Sequence, residues 1–90
     1  MKTLKIILSG TVQGVFFRKF VKENADNLNV RGFVRNLDND RLEIVAEGRD
    51  DKVDELLNRC DSGPNHALVK NVEFNEIKNQ GFDGFKILSL

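Results

Sequence analysis

The sequence is poor in the residues that build covalent or metal-bound frameworks. Its 90 residues include one cysteine, one histidine and one proline, and neither tryptophan nor tyrosine. The lone Cys60 excludes an internal disulfide. No group of His, Cys, Asp and Glu has the spacing typical of metal ligands. Cys60 falls on the apolar face of a predicted helix, which favours a buried small hydrophobe. A reducing, cytoplasmic setting is therefore expected.

The sequence also lacks net charge and long apolar runs. Fourteen basic and fourteen acidic side chains cancel, which argues against a nucleic-acid partner, since such proteins carry a basic surface. The apolar run at residues 6–8 is too short for a signal peptide, and no stretch is long enough to span a membrane. We expect one domain, residues 1–90, without a linker or a repeat, and a monomer.

What the sequence does contain is a glycine-framed segment at residues 10–18, GTVQGVFFR, directly after a predicted strand. Glycine allows close approach of a ligand and positive φ, and backbone N–H groups at a strand-to-helix turn form an anion site. Arg18 adds a planar fork that matches two phosphate oxygens. The glycine spacing excludes a dinucleotide fingerprint, and no Gly-Lys-Ser/Thr follows as in a P-loop. The segment alone leaves an anion site and an ordinary turn equally open.

A second cluster, GFVRN at residues 32–36, removes this ambiguity. Together, GTVQGVFFR and GFVRN resemble the two signatures of the acylphosphatase family, a Gly-x-Val-x-Gly-Val-x-Phe-Arg loop and a Gly-Phe/Trp-Val-Arg-Asn strand end. Weaker matches continue in order along nearly the whole chain, at Glu43, Ala46-Glu47-Gly48, Gly63-Pro64, Ala67, Val69 and Val72. The sequence is therefore identified as a member of this family.

The periodicity of apolar residues predicts the order β-α-β-β-α-β with an added final strand. Alternating residues predict strands at 4–8, 33–37, 42–47, 69–77 and 82–88. Helical stripes predict helices over 18–28, ended by a left-handed Asn29, and from a cap at Asp50 or Asp51 to Ser62-Gly63-Pro64. This order is the ferredoxin-like α+β sandwich, with both helices on one face of an antiparallel or mixed sheet. The resemblance implies the same fold.

This topology predicts that the two motifs meet. A β-α-β crossover makes the first two strands parallel, and the third strand, paired by a hairpin at residues 38–40, lies between them. The carboxyl ends of the first two strands then lie at one sheet edge, roughly 10 Å apart. The predicted phosphate-binding loop, with Gln13, Gly14, Val15, Phe16 and Phe17, follows one end, and Asn36 lies at the other.

The predicted pocket contains no nucleophile, general acid or general base, and this restricts the substrate. An alkyl phosphate needs a proton delivered to its leaving group. An acyl phosphate releases a carboxylate, whose acid has a pKa of roughly 4, so it leaves unprotonated. The pocket then needs only to hold the phosphoryl group and to orient an attacking water. Arg18 and the loop amides suit the first task, and the Asn36 carbonyl suits the second.

The resemblance implies the same roles for Arg18 and Asn36 as catalytic residues, and it implies no cofactor. We therefore expect metal-independent hydrolysis of acyl phosphates, with inorganic phosphate as product and inhibitor and without a nucleic-acid or membrane partner. The chain has Leu37 where the family often has threonine, which removes a hydroxyl that could orient Asn36. It also has Asn39-Asp40 where the family usually has Asp-Gly in the hairpin.

Neighbouring residues have simpler interpretations. Arg35 alternates with Asn36, so it is expected on the opposite face as a solvated or salt-bridged arginine. Gln13 either braces the loop or is merely exposed. Phe16 and Phe17 are expected to be core anchors, or one of them walls the acyl side of the pocket. His66 is expected to be a solvated loop residue, and the acidic residues of the hairpin are expected to face water.

Two other functions compete with the hydrolase. A non-catalytic anion-binding or regulatory ferredoxin-like module would keep the loop and Arg18 but would have no use for Asn36. An RNA-binding module of similar topology would need exposed aromatic residues on the central strands and a basic face. Glu43, Val45 and Glu47 are expected to face outward on the third strand, which disfavours RNA.

Overall fold

The computed structural model describes residues 1–65 and 67–88, and these form five strands and two helices. In chain order the elements are β1 (Lys2–Thr11), α1 (Val15–Asn27), β2 (Arg31–Leu37), β3 (Arg41–Gly48), α2 (Asp50–Ser62), β4 (Leu68–Ile77) and β5 (Phe85–Leu88). His66, for which a solvated loop position was predicted, lies outside the described residues.

The strands form one mixed sheet in the order β4-β1-β3-β2-β5. β3 pairs antiparallel with both β1 and β2, so β1 and β2 run parallel to each other, as the sequence predicts. The added strand β5 pairs parallel with β2 at one edge, and β4 pairs antiparallel with β1 at the other. The ferredoxin-like topology with an extra strand is confirmed.

Both helices pack on one face of the sheet and share one core with it. Alternate residues of β1, β2 and β3 supply the sheet side of this core: Leu4, Ile6, Leu8, Val34, Leu42, Ile44 and Ala46. The helices supply Phe17, Val21, Ala25, Val53, Leu56 and Cys60. The predicted apolar stripes are confirmed, and Cys60 is a buried hydrophobe, as expected.

The helix starts differ from the predictions. α1 begins at Val15 rather than near residue 18, because Val15 and Phe16 form its first turn without burying their side chains. α2 begins at Asp50, with Arg49 at the cap position, and among the described residues no side chain caps it. Asp50 and Asp51 therefore lie in the first turn, where their charges interact favourably with the helix dipole. Neither described helix is long and apolar enough to cross a membrane.

The hairpin between β2 and β3 contains two residues in the left-handed region. Leu37 pairs with Arg41, which leaves residues 38–40 in the turn. Asn39 has a φ of 63° and Asp40 a φ of 57°. All three turn residues are exposed, which confirms that the acidic side chains face water. Asn29, the predicted end of the first helix, also has a positive φ, of 55°.

The second face of β3 is covered rather than solvent-exposed, which corrects the expectation for its outward residues. Glu43 is 6% exposed, Val45 5% and Glu47 1%. β3 is the central strand, and long side chains from both neighbouring strands cover it. Arg35 Nε lies 2.6 Å from Glu43 Oε1, and Lys5 Nζ lies 3.7 Å from Oε2. The predicted salt-bridged position of Arg35 is thereby confirmed.

Candidate active site

The glycine-framed segment from the end of β1 to α1 needs glycine at two positions, for different reasons. A Cβ on Gly10 would lie 2.2 Å from the carbonyl oxygen of Leu68, so this position requires close backbone approach. Gly14 has free space around it, but its φ of 108° is one that other residues rarely adopt. Gly14 is the residue directly before α1, so this backbone conformation turns the chain from the loop into the helix.

The first turn of α1 presents backbone donors at the end of this loop. The N–H of Arg18 donates to the carbonyl of Gly14, at 3.4 Å. The N–H groups of Val15, Phe16 and Phe17 precede this bond and have no acceptor within the helix. The turn contains no acidic residue. The predicted phosphate-binding loop is therefore half loop and half helix N-terminus, an arrangement that favours anions.

Arg18 extends from this first turn back toward the loop. Its Nε donates to the carbonyl oxygen of Gly14 at 3.4 Å. Within the part of the chain that the structure describes, Arg18 makes no ion pair with a carboxylate, whereas Arg35 and Arg59 are each paired with a glutamate. The Arg18 guanidinium thus lies at the helix N-terminus, and no carboxylate of the described residues compensates its charge.

Asn36 lies at the end of β2, on the sheet face that carries the helices. It alternates with Arg35 and shares its face with Val34, which is fully buried in the core. Its cross-strand partner, Leu42, belongs to the same core. The Oδ1 atom of Asn36 is buried, and among the described residues it accepts no hydrogen bond. The side chain therefore provides a buried carbonyl acceptor with free capacity.

Gln13 ties the loop to the hairpin that follows Asn36. Its Nε2 donates to the carbonyl oxygens of Leu37 and Arg41, the latter at 3.2 Å. The N–H of Gly10 also donates to the carbonyl oxygen of Asp40, at 3.3 Å. Of the two roles that the sequence left open for Gln13, the structure shows the brace. These bonds bring the two sequence motifs together.

Phe16 and Phe17 have opposite environments, so the expectation of two core anchors is wrong for one of them. Phe17 is 3% exposed and packs edge-on against Phe20, with ring centroids 6.0 Å apart. Phe16 is 83% exposed. Because the helix begins at Val15, Phe17 lies one turn before Val21 on the inward stripe, and Phe16 points about 100° away from it. Phe16 instead borders a cleft of about 680 Å³.

The comparison with known proteins assigns the family. The acylphosphatase family model matches residues 4–87. The chain belongs to the acylphosphatase family. It is 44% identical over 89 residues to an acylphosphatase of Syntrophus aciditrophicus, with 98% of this chain and 93% of the relative covered. It is 46% identical over 87 residues to an acylphosphatase of Rubrobacter xylanophilus, with 96% and 79% covered.

The fold agrees with this assignment. The crystal structure of an acylphosphatase from Bacillus subtilis superposes with a TM-score of 0.92 at 34% identity, and 98% of this chain and 99% of that chain are covered. The chain is thus an enzyme of the acylphosphatase family, a hydrolase of acyl phosphates, as its two motifs predict. The donors described above suit such a substrate, because its phosphoryl group is the anion to be held.

The residues that the structure describes offer no metal centre to this enzyme. Over 1–65 and 67–88, no group of three or more His, Cys, Asp or Glu side chains could hold a metal ion. The described residues of the candidate site provide backbone N–H groups, the Arg18 guanidinium and the Asn36 carboxamide.

Proposed function

We propose that the enzyme cleaves the carboxyl–phosphate anhydride bond by in-line attack of a water molecule. Asn36 orients this water. Arg18 and the N–H groups of residues 14–17 hold the phosphoryl group. The oxygen of the water forms a bond to phosphorus while the bond from phosphorus to the acyl oxygen breaks. The products are a carboxylate and inorganic phosphate, and no metal or cofactor takes part.

The observation that carries this proposal is the buried Oδ1 of Asn36, which has no donor among the described residues. A buried carbonyl without a partner costs about 1–3 kcal/mol. A water that donates to Oδ1 would remove this cost and at the same time be held in a defined orientation. The position on the helix-bearing face of the sheet supports the proposal, because α1 and Arg18 lie on that face.

The proposed roles of Arg18 and of the loop N–H groups follow from the negative charge of the phosphoryl group. A phosphoryl group in the transition state spreads negative charge over its equatorial oxygens. Helix N-terminal amides and the Arg18 guanidinium are preorganised donors for this charge. No acid is needed for the leaving group, because a carboxylate leaves without protonation.

The non-catalytic anion-binding module, the alternative that the sequence left open, is disfavoured by the family assignment. It would use the same amides and Arg18, but it would gain nothing from an unpartnered acceptor at Asn36. The sequence also predicts that residues 1–90 form one domain, that the protein is a monomer and that it is cytoplasmic, and these three points stay predictions.

Asn36→Ala tests the proposal. The activity assay is phosphate release from acetyl phosphate in EDTA, with p-nitrophenyl phosphate, an aryl phosphate monoester, as the contrasting substrate. Turnover of acetyl phosphate should fall by roughly a hundredfold or more, while the inhibition constant of inorganic phosphate should change only a few-fold. Asn75→Ala is the matched control, because Asn75 is an exposed asparagine on the edge strand β4.

Three outcomes would contradict the proposal. Normal turnover by Asn36→Ala would exclude Asn36 as the group that orients water. Loss of phosphate binding together with turnover would make Asn36 a phosphate ligand or a structural brace. Loss of activity in EDTA, restored by a single metal, would exclude the metal-independent reaction.

A further inference from the structure

The cleft beside Phe16 is not explained by the roles proposed so far. It borders the phosphate site, because Gln13, Phe16 and Phe17 belong to both. Its volume of about 680 Å³ falls within the range of small-molecule sites, about 300–1,000 Å³. The remaining lining comes from the end of β1, from α1 and from the segment between α2 and β4: Thr11, Lys19, Phe20, Glu23, Pro64, Asn65 and Ala67.

The strand order places this cleft and Asn36 on opposite sides of the phosphate site. Thr11, at the end of β1, pairs with Leu68 at the start of β4, so the cleft lies on the β4 side of the sheet. Asn36 belongs to β2, which is separated from β1 by β3. The glycine-framed loop runs between them.

In-line displacement requires the attacking and leaving oxygens to lie on opposite sides of phosphorus. If the water is held at Asn36, the acyl group leaves toward the β4 side, where the cleft opens. This step rests on the proposed function, because it uses the position of the attacking water.

We propose that the cleft receives the acyl part of the substrate and that it favours acyl phosphates with an aromatic or extended apolar acyl group. Phe16 is the main contact, because this aromatic residue borders the cleft and is 83% exposed. Phe20 adds a second ring on the same helix face, one turn further along. The lining includes one positive side chain, Lys19, and one negative side chain, Glu23. Their charges cancel, so the lining has no net attraction for a charged acyl chain.

The test compares benzoyl phosphate with acetyl phosphate as the ratio of their kcat/KM values. Phe16→Ala should lower this ratio by about tenfold relative to the starting enzyme, mainly through a higher KM for benzoyl phosphate, because an aromatic contact is lost. The ratio corrects for the different reactivity of the two substrates and for any damage to the phosphate site. Phe74→Ala is the matched control, because Phe74 is 58% exposed on β4 and lies outside the cleft.

A second variant tests the same inference by filling the cleft. Asn65 is exposed and lines the cleft from the side of the segment before β4. Asn65→Trp should raise the KM for benzoyl phosphate more than the KM for acetyl phosphate. A ratio that is unchanged in both variants would overturn the inference while leaving the proposed function intact. If the starting enzyme hydrolyses neither substrate, the proposed function fails first and the inference fails with it.

Discussion

Glu47→Gln should strongly destabilise the fold without removing any apolar contact. Glu47 is 1% exposed on the central strand β3, and its carboxylate accepts four hydrogen bonds. Thr3 Oγ1 and the N–H of Gln80 donate to Oε1. The N–H groups of Gly81 and Phe82 donate to Oε2, at 2.9 and 3.2 Å. The carboxylate thus fastens the segment after β4 to the sheet.

The size of the effect follows from which bonds glutamine can keep. The carbonyl oxygen of the glutamine can still accept hydrogen bonds from Thr3 and Gln80. Its amide NH2 group cannot accept the hydrogen bonds that Gly81 and Phe82 donate. Two hydrogen bonds to a charged group are therefore lost, each contributing about 1.5–3 kcal/mol. Because Gly81 is exposed, its N–H can bond to water instead, which reduces the loss. We expect a decrease in the free energy of unfolding of about 2–4 kcal/mol, or about 10–30 °C in Tm for a domain of this size.

Urea unfolding at pH 7, followed by circular dichroism, measures this decrease. Glu43→Gln is the matched control, because Glu43 lies four residues earlier on the same strand and face and is also buried. Its partners, Arg35 and Lys5, have side chains that are 40% and 46% exposed, and such pairs contribute about 1 kcal/mol or less. Equal losses in the two variants would refute the assignment of stability to the four-bond carboxylate.

The pH dependence gives an independent check. Burial by itself would raise the pKa of Glu47, but the hydrogen bonds from Gln80, Thr3, Phe82 and Gly81 outweigh it and hold the pKa below its ordinary value of 4.5. A carboxyl whose pKa is lower in the folded state stabilises the fold fully above its unfolded pKa, and this stabilisation is lost as the pH falls through the folded pKa. The stability difference between the starting protein and Glu47→Gln should therefore be constant from pH 7 to about pH 5 and shrink below pH 4.5. A difference that does not change down to pH 3 would contradict this account.

Two substitutions and one reactivity measurement test other parts of the structure. Arg18→Lys should lower turnover by about a hundredfold, nearly as much as Arg18→Ala, because lysine keeps the charge but loses the two-pronged geometry. Steady-state kinetics measure this loss, and a near-normal enzyme would show that the charge alone suffices. Asp40→Gly should raise the free energy of unfolding by up to about 1 kcal/mol, because Asp40 has a φ of 57°, and a lower urea midpoint would contradict this. Burial raises the pKa of the Cys60 thiol to about 12. This thiol should therefore react with a disulfide reagent at pH 8 only after the protein unfolds. Rapid reaction of the native protein would show that the helices pack more loosely around Cys60.

Most of the fold could be predicted because its elements carry clear periodicity. Leu4, Ile6 and Leu8 recur at every second position of the first strand, and the structure buries all three. The start of α1 could not be predicted in the same way. Val15 and Phe16 are apolar but exposed, so the sequence contains no change of period that marks the first turn.

The candidate site was predictable where it depends on strand alternation and not where it depends on the helix start. Asn36 alternates with Arg35, which fixes the face on which its side chain lies. Phe16 and Phe17 are chemically identical neighbours, and only the helix start determines which one is buried. One feature of the sequence could have indicated that Phe16 borders a cleft. Phe16 and Phe20 are one helical turn apart, next to the glycine-framed loop.

The burial of Glu47 shows a more general limit. On β3 it alternates with buried residues as any half-exposed strand residue would, so the local pattern predicts a solvent-facing glutamate. Three of its four partners are backbone N–H groups from the segment after β4, more than thirty residues away in sequence. The phosphate site that we propose also consists largely of backbone N–H groups. Such groups are present at every residue except proline, so they leave no trace in the sequence beyond the glycines that allow the required backbone conformation. At the phosphate site Gly10 and Gly14 provide that trace, whereas at Glu47 the single Gly81, with a φ of 79°, is too little to reveal an anion-binding segment.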